Sequence, residues 1–274
     1  MVVETSRVRN PNKRLWKNYN DFSAARGDLV VDLLSRFIDL HNAKILDIGC
    51  GTGGISIALA KAGAKVTAID PDDGKIEALD STTGELEIDA RVGHAENLNF
   101  SSFSFDAVVL LDVLEHVIDP DIVLQKLYGL LKKNGFLYIS TPNKFSPLNI
   151  AGDPHFSLPG VALLKRAHVK KVVAGILGWQ SGERQDFPQL FSLWELDALL
   201  KANGFIWQFV NRQVISFALH NPQSIWNRPW HLKTVRQFCR FNFANIFSQP
   251  MIDHTGFFNK WLNPTWFILS RRVG

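Results

Sequence analysis

Cysteine is scarce in this chain, with Cys50 and Cys239 the two present among 274 residues. Two cysteines are too few for a disulfide framework, and Cys50 lies within a glycine-rich run where a bridge would have little room. We therefore predict two structural thiols and a reducing compartment.

Long apolar runs are lacking too. Residues 1–17 are polar and basic, without the seven or more consecutive apolar residues that a signal-peptide core needs, and no later stretch approaches a charge-free membrane span. The net charge is only +4. A charge of this size affects solubility and the rate of association with charged partners, but it does not by itself indicate a nucleic-acid-binding protein. We expect a cytoplasmic protein that is soluble or lies at the membrane surface.

Short apolar runs, each followed by a helical pattern, recur along the first half of the chain. They predict five strands of a parallel sheet joined by crossover helices. A leading helix is predicted over 21–40, a later helix over 192–203 that Gly204 stops, and two late strands over 205–212 and 265–271. The five earlier strands are predicted at residues 44–48, 65–69, 87–92, 105–111 and 135–140.

The most informative segment is the glycine-rich loop after the first predicted strand, within residues 46–54. Gly49, Gly51 and Gly54 fit the spacing by which nucleotide-binding folds bring the main chain close to a pyrophosphate at a helix N-terminus. This spacing alone is a weak signal and leaves the type of cofactor open.

Three neighbouring features narrow the choice of cofactor. Asp47 precedes the first glycine by two residues, Gly53 adds a further glycine, and Asp70 closes the second predicted strand, where a carboxylate can accept hydrogen bonds from ribose hydroxyls. An acid near the loop would repel a pyrophosphate but suits a cation. The pattern therefore favours a cofactor with a ribose and a cationic group but no phosphate.

Four segments of the chain resemble motifs of the class I S-adenosylmethionine (SAM)-dependent methyltransferases in order and spacing. The resemblance covers about residues 25–145. It implies a Rossmann-like α/β fold, a mostly parallel seven-stranded sheet with an antiparallel last strand and helices on both faces. The four segments are residues 46–53, 68–71, 93–96 and 105–106.

The same resemblance implies how SAM is bound. Adenine is expected in the loop 93–96, and the methionine part at the main chain of Leu111 and Asp112. The family often has Asp where this chain has His94. A neutral imidazole accepts a hydrogen bond from the adenine amino group in only one tautomer, so the alternatives for this contact are Glu96 and the main chain. The predicted cofactor-binding residues are Asp47, Gly49, Cys50, Gly51, Gly53, Asp70, Pro71, His94, Ala95, Glu96, Leu111 and Asp112.

A second polar segment, residues 111–117, directly follows the fourth predicted strand, where open α/β sheets bind their ligands. If it is helical, Asp112 lies three and four residues from Glu115 and His116 and shares their face, which suits proton transfer or a divalent cation. We predict His116 as general base, with Glu115 and Asp112 beside it. The alternative is that His116 only braces the sheet edge.

This segment resembles the Glu-x-x-Glu-His segment of the ubiquinone-pathway O-methyltransferases and of the small-RNA 3′-end 2′-O-methyltransferases, where it can bind magnesium. Asp112 replaces the first Glu here, and its shorter reach weakens such a site. Base catalysis without a metal is the preferred interpretation. The alternative is Mg²⁺ held by Asp112, Glu115, His116 and His155, the last of which could instead carry a second proton.

Residues 144–190 form an insertion far longer than an ordinary strand-to-helix connection, which predicts a lid or substrate-specificity element. Within it, residues 161–178 have the spacing of a basic amphipathic helix. We predict that this helix packs its apolar side on the sheet, and the alternative is that it contacts a membrane surface. The residues that carry the pattern are Val169, Val172, Val173 and Ile176 with Lys165, Arg166, Lys170 and Lys171.

A second insertion, residues 221–264, is rich in aromatic and basic side chains. These side chains can stack nucleic-acid bases, but they suit an apolar substrate mouth or interfacial anchoring equally well. We favour the apolar substrate. The side chains are those of Trp226, Arg228, Trp230, His231, Lys233, Arg236, Arg240, Phe241, Phe243, Phe247, Phe257, Phe258 and Trp261.

Together these patterns predict one methyltransferase domain over residues 1–274. Its parts are a helical segment (1–42), a SAM-binding core (43–143), the first insertion and a C-terminal part (191–274). We predict transfer of a methyl group from SAM to oxygen in a small, apolar or lipid-like acceptor. The alternatives are a nucleic-acid methyltransferase, which the sequence disfavours, and a SAM-binding protein without catalysis, since fold does not fix function. The oligomeric state stays open.

Overall fold

The computed structural model describes residues 19–179, 187–225 and 256–273. The strands are β1 (Lys44–Ile48), β2 (Lys65–Asp70), β3 (Ile88–Val92), β4 (Phe105–Leu111), β5 (Leu131–Pro142), β6 (Phe205–Phe209) and β7 (Thr265–Arg272). The helices are α1 (Tyr19–Leu34), α2 (Gly54–Lys61), α3 (Asp73–Thr83), α4 (Pro120–Leu130), α5 (Pro147–Ala151), α6 (Arg166–Lys170), α7 (Leu193–Ala202) and α8 (Asn211–His220).

The seven strands form one sheet in the order β3-β2-β1-β4-β5-β7-β6. Strands β1 to β5 pair in parallel, and β7 is antiparallel to both of its neighbours, β5 and β6. The predicted fold is therefore confirmed. Because β1, β2, β4 and β5 run in the same direction, their carboxyl ends lie along one edge of the sheet, where ligands of open α/β sheets bind.

Apolar side chains alternate between the two faces of the sheet, so each face has its own core. On one face, Val108 and Leu110 pack with helices α4 and α7. On the other face, Ala107 and Val109 pack with α1, α2 and residues of α8. Near-continuous apolar strands such as β4 are typical of parallel sheets covered on both sides.

Three predicted boundaries are wrong. The strand predicted over 135–140 spans Leu131–Pro142. The leading helix ends at Leu34 rather than at 40, and turns follow it. The strand predicted over 205–212 ends at Phe209, because Asn211 is buried at the start of α8. Its side-chain oxygen accepts a hydrogen bond from Phe267 N and its amide donates to Asn259, so the chain turns away from the sheet.

The first insertion does not contain the single helix predicted over 161–178. It has a short turn at Val161–Leu163, then α6, which continues as a wider π turn over Lys171–Ile176. Its apolar side chains form a small cluster of their own rather than packing on the sheet. The buried members of this cluster are Phe156, Val161, Val169, Val173 and Phe187.

Three further predictions concern the cysteines, the second insertion and membrane spans, and the described residues cover each of them only in part. The buried thiol of Cys50 is free, whereas Cys239 lies outside the described residues. Most of the second insertion, residues 226–255, also lies outside them. Among the helices that are described, none is both long enough and apolar enough to span a membrane.

Candidate active site

The glycine-rich loop between β1 and α2 is held by backbone geometry that favours glycine. Gly49, Gly51 and Gly53 have φ values of 73°, 56° and 83°, in the left-handed region. A Cβ at Gly49 would lie 2.3 Å from a methyl group of Val113, so this loop packs directly on the segment after β4. The loop and that segment therefore form adjoining walls of one site.

Asp47 lies beneath this loop with only 1 % of its surface exposed. Burial raises its pKa to about 6, and a 2.6 Å hydrogen bond from the Ser56 hydroxyl partly opposes the shift. The protonated form is therefore favoured by the fold. Because the pKa shift is from 3.8 to about 6, the contribution of Asp47 to folding stability is fully present below about pH 4 and is lost as the pH rises through about 6.

We predict that Asp47→Asn stabilises the protein without cofactor at neutral pH. A shift of this size corresponds to about 3 kcal/mol, so the variant should melt roughly 5 °C or more above the wild type at pH 7.5. The difference should shrink as the pH falls to 4. Thermal unfolding followed by circular dichroism across this pH range measures it, and an unchanged or lower melting temperature at pH 7.5 would contradict the prediction.

Asp70 ends β2 beside the glycine loop and is 4 % exposed. One carboxylate oxygen accepts from Gly51 N at 2.9 Å, and the other accepts from Asp72 N at 3.0 Å and lies 3.4 Å from the Lys75 ammonium. The two carboxylate oxygens have about four acceptor positions, of which these contacts occupy three, so one remains for a ribose hydroxyl. The side chain also ties the loop to the start of α3.

Asp112 belongs to a partly exposed ionic network that the sequence prediction did not include, with 39% of its side chain exposed. Arg26 of α1 donates to its carboxylate at 2.7 Å, and Ser140 of β5 donates to the other oxygen at 2.7 Å. Burial alone would raise the pKa of Asp112, but the charge of Arg26 and these hydrogen bonds lower it below its ordinary value. Arg26 thereby brings α1 to the sheet edge where a cofactor is expected.

Residues 112–119 have no regular secondary structure, so the condition of a helix after Leu111 is not met. Asp112 has a φ of 54°, and its main-chain N–H donates to Ser140 O at 2.9 Å. The side chain of Asp112 faces Arg26. The expectation that it shares a helical face with Glu115 and His116 was wrong.

The predicted adenine loop follows β3. His94 is exposed, Ala95 is buried, and both precede or begin the short turn Ala95–Asn97. One carboxylate oxygen of Glu96 accepts from Ile118 N at 3.0 Å, so Glu96 braces the segment after β4. Of the other predicted contacts, Cys50 and Leu111 are buried and Pro71 is exposed.

Glu115, His116 and His155 come together beside this edge. One ligand atom from each lies within 4.8 Å of the other two, and the two imidazole rings meet edge to face with centroids 4.8 Å apart. Glu115 is fully buried; one oxygen accepts from Thr141 at 3.0 Å, whereas the other has no hydrogen-bond partner and lies 3.8 Å from His155. The insertion thus contributes a side chain to the cluster.

His155 also lies 3.7 Å from the carboxylate of Asp153. Burial alone would lower its pKa, but Asp153 and Glu115 outweigh burial and raise the pKa to about 9. These two carboxylates favour the protonated imidazole of His155, whereas a metal ligand must give up this proton.

The cluster offers one carboxylate and two imidazoles to a metal ion. This donor set suits Zn²⁺ and similar ions better than Mg²⁺, which prefers oxygen ligands in octahedral geometry. Asp112 is engaged elsewhere, so the four-ligand set proposed from the sequence does not assemble. The unpartnered oxygen of Glu115 is the feature that fits a bound cation best.

Comparison with known proteins places the chain among methyltransferases. A family model described as "Methyltransferase domain" matches residues 22–206. The ubiquinone biosynthesis O-methyltransferase of Xanthomonas oryzae pv. oryzae is 40% identical over 117 residues, which are 42% of this chain and 49% of that protein. The chain therefore spans about half the length of the curated relatives it matches.

Solved structures share the fold. A SAM-dependent methyltransferase from Mesorhizobium loti superposes with a TM-score of 0.58 at 14% identity, covering 88% of this chain and 95% of that one. A SAM-dependent methyltransferase described as putative, from Listeria monocytogenes, gives a TM-score of 0.57 at 17% identity, covering 91% and 98%. At these identities the likeness concerns the fold.

Proposed function

Because the chain belongs to the methyltransferase domain family, we propose that it transfers a methyl group from SAM to an oxygen atom of a small, apolar or lipid-like acceptor. One observation carries the proposal: the glycine loop with Asp70, and the cluster of Glu115, His116 and His155, lie along the same edge of the sheet. A cofactor site and a proton-accepting group are thereby brought together.

We place SAM across the carboxyl ends of β1, β2 and β4. The ribose hydroxyls bind Asp70, adenine lies by residues 94–96, and the methionine part meets the main chain at Leu111 and Asp112. Support comes from the burial of Asp70 and from the direct packing of Gly49 on Val113. Arg26, with its charge beside Asp112, closes this end of the site.

The reaction is an in-line displacement. The acceptor oxygen forms a bond to the methyl carbon while the bond from that carbon to sulfur breaks, giving a methyl ether and S-adenosylhomocysteine. His116 takes the hydroxyl proton. The protein contributes orientation and exclusion of water, which are the main sources of rate in such a transfer.

An apolar acceptor is supported by aromatic side chains close to β5. The rings of Phe145, Trp194 and Trp261 contact one another with centroids 5.1–5.8 Å apart, and half of the Trp194 surface is exposed. Aromatic surfaces of this kind bind apolar groups. The relative from Xanthomonas oryzae is named for ubiquinone biosynthesis, which agrees with such an acceptor.

We predict that Mg²⁺ is not required for this reaction. Asp112 is bound to Arg26, so the candidate metal cluster keeps a single carboxylate. After treatment with EDTA and gel filtration, the activity should stay within about twofold of that of the untreated protein, because a single carboxylate makes a poor Mg²⁺ site. Loss of activity that added Mg²⁺ restores would contradict the prediction.

The function is tested by methyl transfer from radiolabelled SAM into a lysate of the source cells, followed by extraction into organic and aqueous phases. We expect label in the organic phase, insensitive to RNase, and about a hundredfold less of it when the His116→Ala variant is added in place of the wild type. RNase-sensitive label would favour a nucleic-acid acceptor. Binding of SAM without any labelled product would favour a protein that has lost catalysis.

A further inference from the structure

Arg166, the first residue of α6, makes contacts that distinguish it from the lysines around it. Lys165 and Lys170 are exposed, whereas the Arg166 guanidinium turns toward the segment after β4. One terminal nitrogen donates to the carbonyl of His116 at 3.0 Å. The other donates to the carbonyls of Glu115 at 3.0 Å and Val117 at 2.5 Å. A single side chain therefore satisfies three consecutive carbonyls.

Those carbonyls belong to a segment with no helix or strand to bond them. Buried or half-buried carbonyls that lack donors are costly, so the donors must come from elsewhere in the fold. Here they come from the first insertion, because Gln189 N also donates to the Glu115 carbonyl at 2.9 Å. The Gln189 side chain in turn accepts from Arg166 N at 2.9 Å. The middle and the end of the insertion thus hold the same stretch of main chain.

Arginine is suited to this position for a geometric reason. Its planar guanidinium has five N–H donors in a fixed fork, whereas a lysine ammonium offers three donors around one point. Hydrogen bonds from a charged donor are also stronger than those between neutral groups. A lysine in place of Arg166 keeps the charge and much of the stem but cannot reach all three carbonyls at once.

We propose that Arg166 is a positioning residue that fixes the main chain at Glu115, His116 and Val117, so that the direction of the His116 side chain depends on docking of the insertion. His155, from another part of the same insertion, meets the side chains of Glu115 and His116. The insertion therefore holds both the backbone and the side chains of the reacting segment. This role rests on the proposed function, in which His116 accepts the proton.

The test compares Arg166→Lys with Lys165→Ala, a neighbouring loss of a cation that bonds to none of the three carbonyls. In Arg166→Lys we expect kcat to fall roughly tenfold to a hundredfold, the cost of a small misplacement of a reacting group. The acceptor KM and the Kd for SAM should stay within about twofold, because these hydrogen bonds of Arg166 go to the carbonyls of residues 115–117 and not to the residues assigned to SAM. Lys165→Ala should match the wild type in all three.

Hydrogen exchange followed by mass spectrometry supplies a readout that does not need turnover. Amides of residues 113–118 should exchange faster in Arg166→Lys than in the wild type, with the rest of the sheet unchanged. Unchanged exchange in this segment would overturn the proposal, whether or not the protein is active. A wild type that binds SAM but transfers no methyl group to any acceptor would instead refute the proposed function. Unchanged kcat together with faster exchange would also overturn the positioning role.

Discussion

Replacing His116 with alanine is expected to lower kcat about a hundredfold or more while leaving the Kd for SAM nearly unchanged. The imidazole lies against His155 and Glu115 at the sheet edge, and the proposed cofactor contacts lie on the neighbouring loops. Removing it takes away the proton acceptor but none of the groups assigned to SAM. Steady-state kinetics with an identified acceptor and calorimetry with SAM measure the two effects. Equal activity in the variant would show that His116 only braces the structure.

A second variant separates base catalysis from metal binding. His155→Ala removes the neighbouring imidazole and one donor of the candidate metal cluster. If His116 acts as base, this variant should lose less activity than His116→Ala, and EDTA should not change either value. If both variants instead lose the same activity, and EDTA treatment of the wild type causes an equal loss, the two imidazoles act together on a bound ion.

Asp70→Ala is expected to weaken SAM binding by about 1–3 kcal/mol, which is roughly a 5- to 150-fold rise in Kd. The ribose hydroxyls lose their acceptor, and the Gly51 and Asp72 amides lose theirs as well. The loss therefore combines a missing contact with a less ordered glycine loop. Calorimetric titration with SAM and with S-adenosylhomocysteine measures it, and an unchanged Kd would contradict the placement of the ribose.

Asp72→Ala is the matched control for this experiment. Asp72 is exposed two residues further on, and its side chain caps α3 by accepting from Lys75 N. Its loss should lower the melting temperature slightly, as for other N-caps. The Kd for SAM should stay within about twofold, because the Asp72 side chain caps α3 and is not assigned to the ribose. A similar rise in Kd for both variants would mean that loop order, rather than a ribose contact, explains the Asp70 effect.

The sheet could be predicted from the sequence because its signals are local. Each of the first five strands is a short apolar run, and the glycines at 49, 51 and 53 mark a turn that other residues rarely adopt. The last strand was predicted as well, although its position between β5 and β6 came from the family resemblance and not from the residues.

The conformation after β4 was not predictable in the same way. A Glu-His pair three residues after Asp112 has the spacing of a helix, but the segment has another shape. The Asp112 N–H donates to the Ser140 carbonyl, and Gln189 and Arg166 donate to carbonyls of residues 115 and 116. These partners lie tens of residues away along the chain. Local spacing carries no information about them, and tertiary contacts override it.

Arg26 was missed for a related reason. The apolar stripe of α1 predicts that one face lies on the sheet, and nothing in that stripe marks an arginine as turned toward Asp112. A signal did exist in Gly27, whose Cβ would lie 2.4 Å from Gly54 O. A glycine in mid-helix indicates close approach of another backbone, here that of the cofactor loop.

The position of β7 has a consequence for how the chain is made. Ribosomes release the polypeptide from its N-terminus, and early parts of a domain begin to fold before later parts emerge. Strand β5 pairs with β7, which is synthesised more than a hundred residues later. The outer edge of β5 therefore stays unpaired while the residues between the two strands are being synthesised. An apolar strand edge left open during synthesis is a template for association with other chains. Slow translation beyond residue 142 should therefore lower the yield of folded protein, and chaperones that cover strand edges should restore it.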